Sequence, residues 1–199
     1  GGVTKLEYGS YLAACLGYMA QKQRDRVGIV TFDSELVTYV PASAKHFNVV
    51  LHTLDRAKAT RPGHLSEPLK LMAEHFKRRG ILLLISDFYD EPDDILEAIK
   101  PLRFLGNDLI VFHILDPREV DFAFEEASTF EDLETTDQMP VVPQSFREQY
   151  RHMINEHIET LRARFSEQRI DYALLNTAEP LDRALFSYLN SREKLMRVR

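Results

Sequence analysis

Residues 81–87 read Ile-Leu-Leu-Leu-Ile-Ser-Asp, five apolar residues in a row closed by a hydroxyl and a carboxylate. A run without polar alternation leaves neither face of a strand suited to water, so it predicts a central strand covered on both sides. Residues 109–115, Leu-Ile-Val-Phe-His-Ile-Leu, repeat the pattern and are broken by Asp116 and Pro117. The stretch between them has a helical period. Pro92 suits a first turn, Ile95, Leu96, Ile99 and Leu102 share a side, Pro101 is expected to kink the helix, and Gly106 follows it. Strand, helix, strand with uninterrupted apolar strands predicts an α/β fold: a doubly wound, mostly parallel sheet with helices on both faces.

Working outward, Leu65, Leu69, Met72, Ala73 and Phe76 describe a helix expected to stop at Gly80, with Gly80 and Gly106 both as left-handed caps. Upstream come a polar loop at 60–64 and a helical face of Phe47, Val50, Leu51 and Leu54. Before these, two extended runs, 26–32 and 36–40, turn at Asp33 and Ser34 and end at Pro41, which predicts a hairpin. The first helix has a stripe of Tyr8, Leu12, Cys15, Leu16 and Met19, with Cys15 expected as a small core residue. Downstream, residues 119–143 break the rhythm. Phe122 and Phe124 alternate with small or acidic residues, and 135–138 sit between extended pieces, so an inserted antiparallel ribbon is expected. A long helix follows, carrying Phe146, Tyr150, Met153, Ile154, His157, Leu161 and Phe165. A strand at 171–175 and a last helix with Leu181, Leu185 and Leu189 come next, and residues 191–199 form a basic, frayed tail. The whole, residues 1–199, is expected to be one domain.

The opening helix raises a question of topology. In a parallel sheet such a helix is a crossover that follows a strand, yet only Gly1-Gly2-Val3-Thr4 precedes it. We therefore expect the first central strand to be absent from this chain, lying upstream or supplied in another way; the alternative is a helix that simply packs on the sheet. The strands near Val30 and Leu83 would then lie about two strand spacings apart, roughly 9 to 10 Å, and direct pairing between them would refute the expectation.

Composition narrows the function. Lys and Arg number 25 against 31 Asp and Glu, a net charge of −6, which argues against nucleic acid or an anionic membrane as partner. No apolar run approaches the roughly 20 residues of a membrane span, and we expect a cytoplasmic protein. One cysteine excludes a disulfide framework, and the eight glycines form neither a dinucleotide nor a P-loop fingerprint. His152 and His157 are five apart, not the spacing of a metal-binding helix pair. Lys100 lies in a helical pattern, whereas the lysine of a receiver domain would end a strand. What remains is acidic. Six acids and no base lie between Asp87 and Glu97, and eight acids with one base lie from Arg118 to Asp137. Both stretches follow a strand's carboxyl end, where open α/β sheets bind ligands, so both should share one rim. Asp33, Asp87 and Asp116 each end a strand. Crowded carboxylates invite a divalent cation or a basic partner, while Asp93 and Asp94 also suit the first turn of a helix.

Several longer stretches carry a family likeness: TKLEYGSYLAACLGYMAQKQRDRVGIVTFDSEL at 4–36, LLLISDFYDEPDDILEAI at 82–99, FEDLET at 130–135 and RIDYALLNTAEPLDRALFSYL at 169–189. Together they resemble the bacterial von Willebrand factor A-like proteins of domain-of-unknown-function family 58. The resemblance implies a von Willebrand A-like fold whose first strand ends in a D-x-S-x-S metal loop just before the opening helix. It implies Mg²⁺ as the cofactor of a longer chain carrying that loop, with Asp87 matching the aspartate of the third loop. Where a threonine is expected on the second loop, this chain has Gly63-His64-Leu65, with Thr60 out of register. The resemblance further implies a partner among MoxR-type AAA+ ATPases and an adaptor role in chaperone-like assembly. We expect a non-enzymatic interaction domain, its partner-binding residues being Asp87, Asp90, Asp33 and His64, and Asp87 its only metal candidate. The competing expectation is a metal-dependent hydrolase using Asp87 and Asp90.

Overall fold

A computed structural model of the chain describes residues 2–33, 35–59, 65–75, 79–122, 128–131, 138–141 and 143–197. Strands β3 (Ile81–Ser86), β4 (Asp108–Leu115) and β7 (Asp171–Asn176) form a parallel sheet in that order, with β4 in the middle. β1 (Val27–Phe32) and β2 (Leu36–Ser43) make an antiparallel hairpin, and β5 (Ser128–Glu131) pairs antiparallel with β6 (Gln138–Val141) as a separate ribbon. Helices α1 (Lys5–Lys22), α2 (Phe47–Arg56), α3 (Ser66–His75), α4 (Pro92–Phe104), α5 (Pro117–Asp121), α6 (Pro143–Glu167) and α7 (Leu181–Arg197) complete the order.

The parallel sheet has helices on both faces, as its apolar strands require. On one face Leu84, Leu109 and Val111 join Leu65, Leu69 and Met72 of the α3 segment, Ile95, Ile99 and Leu102 of α4, and Leu161 and Phe165 of α6. On the other, Ile110, Phe112, Ile114 and Leu175 meet Tyr8 and Leu12 of α1 and Ala184 of α7. The alternation of adjacent strand residues between the two clusters is the pleat itself.

Several elements depart from expectation. Cys15 is exposed, not part of the core. Gly9 is buried, and a Cβ there would stand 3.2 Å from Ile85 and 3.3 Å from Ile114. That close approach centres the buried arc of α1 on Gly9, Leu12 and Leu16 and turns Cys15 and Met19 outward. Met153 and Leu189, assigned to apolar stripes of α6 and α7, are exposed too.

β2 runs through Pro41 to Ser43 instead of ending there. It pairs only with β1 among the described residues, and an edge strand tolerates a missing N–H. The register slips between Val27 and Ile29, so Gly28 opposes the proline corner, where a Cβ would lie 2.6 Å from the Val40 carbonyl oxygen. Gly106 caps α4 with φ +78°, but Gly80 is not left-handed. Gly80 instead donates its N–H to Asn107 Oδ1 at 3.0 Å, which ties the start of β3 to the start of β4. The segment expected as ribbon from 119 begins as the short helix α5, because Asp116 and Glu119 form a capping box around it. The tail expected to fray is helical to Arg197, and Arg192 holds Asp108 at 2.8 Å and Asp171 at 3.3 Å. Phe76, Phe124 and 135–137 lie outside the described residues.

β1 and β3 do not pair. Each has one strand neighbour among the described residues, β2 and β4 respectively.

Candidate functional site

The site forms where β3 and β4 end. β3 delivers Ser86 and Asp87, and the chain then turns sharply because Phe88 takes a left-handed conformation, φ 49°. That geometry costs a bulky residue about 1–2 kcal/mol, and its surroundings hold it there. Phe88 is fully buried, its N–H donates to Ser86 Oγ at 3.3 Å, and its carbonyl meets His157 Nε2 at 2.7 Å. With Phe88 driven inward, Asp87 is left at the rim with its side chain 40% exposed.

α1 supplies the counter-charge. Thr4 caps this helix by accepting from the Glu7 N–H, while the Glu7 carboxylate accepts from the Thr4 N–H. This reciprocal cap fixes the first helical residue, Lys5, against the rim. Its ammonium lies 2.8 Å from Asp87 Oδ2 and 2.7 Å from Glu119 Oε1. It also stands over the Tyr89 ring, 4.7 Å from the centroid. Burial alone would lower the Lys5 pKa, but the two carboxylates outweigh it and raise the value. Burial, then Glu119, raises the Tyr89 pKa, and the same two causes raise that of Tyr150.

The end of β4 joins the same network. Asp116 accepts from the Arg118 N–H at 2.9 Å and from Thr177 Oγ1, beyond the end of β7, at 3.2 Å. Glu119 Oε2 accepts from the Asp116 N–H at 2.8 Å, while its other oxygen meets Lys5. The carboxyl ends of all three parallel strands are thus linked through Asp87, Lys5, Glu119, Asp116 and Thr177. Asp87 and Glu119 share one ammonium, so this group of three side chains stays net acidic.

Beneath it sits His113 of β4, fully buried, with Nδ1 2.7 Å from the Tyr172 hydroxyl and Nε2 without a hydrogen-bonding protein atom. Burial, reinforced by His157, pushes its pKa down to about 4. The Asp87 backbone opposes that shift without closing a hydrogen bond to Nε2.

The expected site residues separate. Asp87 is at the rim, and Glu119, from the second acidic stretch, is brought to it. Asp90 Oδ2 accepts from the Leu65 N–H at 3.0 Å and so anchors the start of α3. Asp33 shapes the hairpin turn, its Oδ1 accepting from the Glu35 N–H at 2.9 Å. Asp93 and Asp94 occupy the first turn of α4. His64, Gly63 and Thr60 lie outside the described residues. Lys5 was not anticipated, although Thr4-Lys5-Leu6-Glu7 is a readable capping box that places Lys5 at a helix start. Nor was His113, hidden in an apolar run.

Asp87 as it stands does not fit a divalent cation. Its Oδ2 is met by an ammonium, the Ser86 hydroxyl stands 3.5 Å from Oδ1, and among the described residues no group of three or more His, Cys, Asp or Glu could hold a metal. No helix among the described residues is long and apolar enough to cross a membrane.

The family described as Protein of unknown function DUF58 matches residues 2–160. The chain belongs to the DUF58 family. No curated protein and no solved structure matches it.

Proposed function

We propose that this DUF58 chain is a protein-interaction domain whose partner docks on the acidic rim at the carboxyl ends of β3 and β4. The observation that carries the reading is the Asp87–Lys5–Glu119 network. It is partly exposed, net acidic and built on three different elements, which makes it a rigid charged surface with the ammonium already in place. Such a surface suits a basic partner face, where charge complementarity steers encounter and fixes orientation. His113 is fully enclosed and its lowered pKa makes it a weak base, which argues against a general-base role at the rim.

The finer fold assignment, a doubly wound von Willebrand A-like sheet, belongs to the same proposal. Helices on both faces of the parallel sheet support it. So does the antiparallel hairpin beside that sheet. The partner class is a MoxR-type AAA+ ATPase, the role is adaptor in chaperone-like assembly, and the place of action is the cytoplasm. The test is equilibrium binding of such an ATPase to wild type and to Asp87→Asn. The variant should bind about tenfold more weakly, which is about 1.4 kcal/mol. Unchanged binding overturns the rim as the docking face. Hydrolysis of a phosphoester with Mg²⁺ or Mn²⁺ that disappears in Asp87→Asn overturns the non-enzymatic reading.

A further inference from the structure

The face of α1 that looks away from the sheet carries a pattern of its own. Glu7, Tyr11, Cys15, Tyr18 and Lys22 are all exposed. Steps of four, four, three and four residues set them in one stripe along the helix, the spacing of a seam between two helices. Lys5, Gly9, Leu12 and Leu16 point elsewhere, toward the rim and the sheet. Single apolar residues on a surface are ordinary, but this stripe aligns two tyrosines, 55% and 50% exposed, on either side of a free thiol.

The stripe is its own complement. Glu7 and Lys22 lie equally far from the midpoint between Ala14 and Cys15, and so do Tyr11 and Tyr18. A two-fold axis at that midpoint lays a second copy of the helix antiparallel on the first. Glu7 of each copy then faces Lys22 of the other, Tyr11 faces Tyr18, and the two Cys15 residues flank the axis. Parallel pairing would set Glu7 against Glu7 and Lys22 against Lys22, so charge selects the antiparallel arrangement. The side chains are already arranged for it. The Tyr18 ring leans on Phe47, centroids 6.5 Å apart, the Lys22 ammonium stands 5.1 Å over the Tyr18 ring, and Glu7 is fixed by its cap bonds to Thr4. Little freedom is left to lose on contact.

We propose that α1 pairs antiparallel with α1 of a second copy of this chain through the Glu7–Tyr11–Cys15–Tyr18–Lys22 stripe. The same patch serves both subunits, as a two-fold dimer requires. A helix of 18 residues is about 27 Å long, so the contact falls at the small end of specific interfaces and the pair is transient. Lys5 lies on a different side of α1, so each subunit keeps its acidic rim open. The dimer therefore stands apart from the adaptor reading, and either can fail without the other.

The experiment is sedimentation velocity at rising concentration, with cross-linking as a second readout. Wild type should pass from monomer to dimer by about 0.5 mM, and a monomer throughout overturns the proposal. Cys15 is the only cysteine, so a short bis-maleimide joins two copies only where Cys15 meets Cys15. Wild type should give a covalent dimer, and its absence at a concentration where the dimer forms overturns the seam. Lys22→Glu and Glu7→Lys should each weaken the dimer about tenfold, because like charges then meet at both ends. Their mixture should form a heterodimer at least about tenfold tighter than either variant alone, since opposite charges meet again. A mixture no tighter than its components overturns the antiparallel arrangement. Tyr11→Glu should abolish both the dimer and the cross-link while Tm stays within about 2 °C of wild type. A dimer that survives it, or a Tm loss above about 5 °C, overturns the stripe as a free docking face. Lys22→Glu and Tyr11→Glu touch no cap bond, so they carry the test where Glu7→Lys weakens α1 itself.

Discussion

β3 and β4 lie side by side in register, from Ile81 against Asp108 to Ser86 against His113, and are equally apolar in sequence. Their surroundings differ. All seven residues of β4 from Leu109 to Leu115 are buried, whereas Leu84 alone in β3 is. An apolar run therefore states what a strand can bury; whether it does so depends on the strand beside it, and β4 has β3 and β7 where β3 has one neighbour among the described residues. The sharpest way to break this comparison is to truncate one residue of each. Phe112→Ala, at a fully buried ring packed edge-on against Tyr188 at 4.9 Å, should cost about 3–5 kcal/mol. Leu83→Ala should cost less than about 1.5 kcal/mol, because much of that side chain already meets water. Urea unfolding of both variants checks this, and equal losses would mean that β3 is as enclosed as β4.

β4 also carries the one polar side chain that the sheet buries completely, His113. Its folded pKa, about 4, lies below the ordinary histidine value of 6.5, so the unfolded chain binds the proton more readily. Neutral His113 favours the fold fully above pH 6.5, and that preference is lost as pH falls from 6.5 toward 4. Across the window the loss amounts to about 3 kcal/mol. Urea midpoints of wild type should fall between pH 7.5 and 4.5 by clearly more than those of His113→Gln. Parallel pH profiles for the two would place the acid sensitivity elsewhere.

How much of this was legible follows from what each residue type can report. The strands at 81–86 and 108–115 and the helix between them were readable because apolar period and proline or glycine boundaries are local properties. The hairpin was readable for the same reason. Cys15 was misplaced because helical period gives a stripe but not its centre, and the centre was set by Gly9, which contributes no hydrophobicity at all. Gly80 was misjudged because a glycine before a strand can serve a side-chain bond, here to Asn107, as well as a left-handed turn. At the site, Asp87 was legible from its place at a strand end. Glu119 was legible only as one acid among many, since nothing local distinguishes it. Lys5 was missed because its role comes from α1 meeting β3 across 82 residues of sequence, although its capping box was in plain view. His113 shows the converse: an apolar run hides a polar residue until its neighbours, Tyr172 and His157, are placed.

The carboxyl ends of β3 and β4 offer the finest test of the comparison, because there the two strands share one cation. Lys5 bridges Asp87 of β3 and Glu119, which is bonded to the Asp116 N–H just past β4. A double-mutant cycle with Lys5→Met and Asp87→Asn should give a coupling of about 0.5 kcal/mol, small because both side chains are partly in water. It should shrink in about 1 M salt, where screening reaches a few ångströms. Since Lys5 has its pKa raised above 10.5, the lysine's contribution is present below that pH and is lost as pH rises through the folded value. The matching cycle with Glu119→Gln should give at least as much, since Glu119 is the less exposed partner, 27% against 40%. A coupling confined to Glu119 would make Lys5 an appendage of β4 alone. Equal couplings would make it the tie that holds the ends of the covered strand and the open one together.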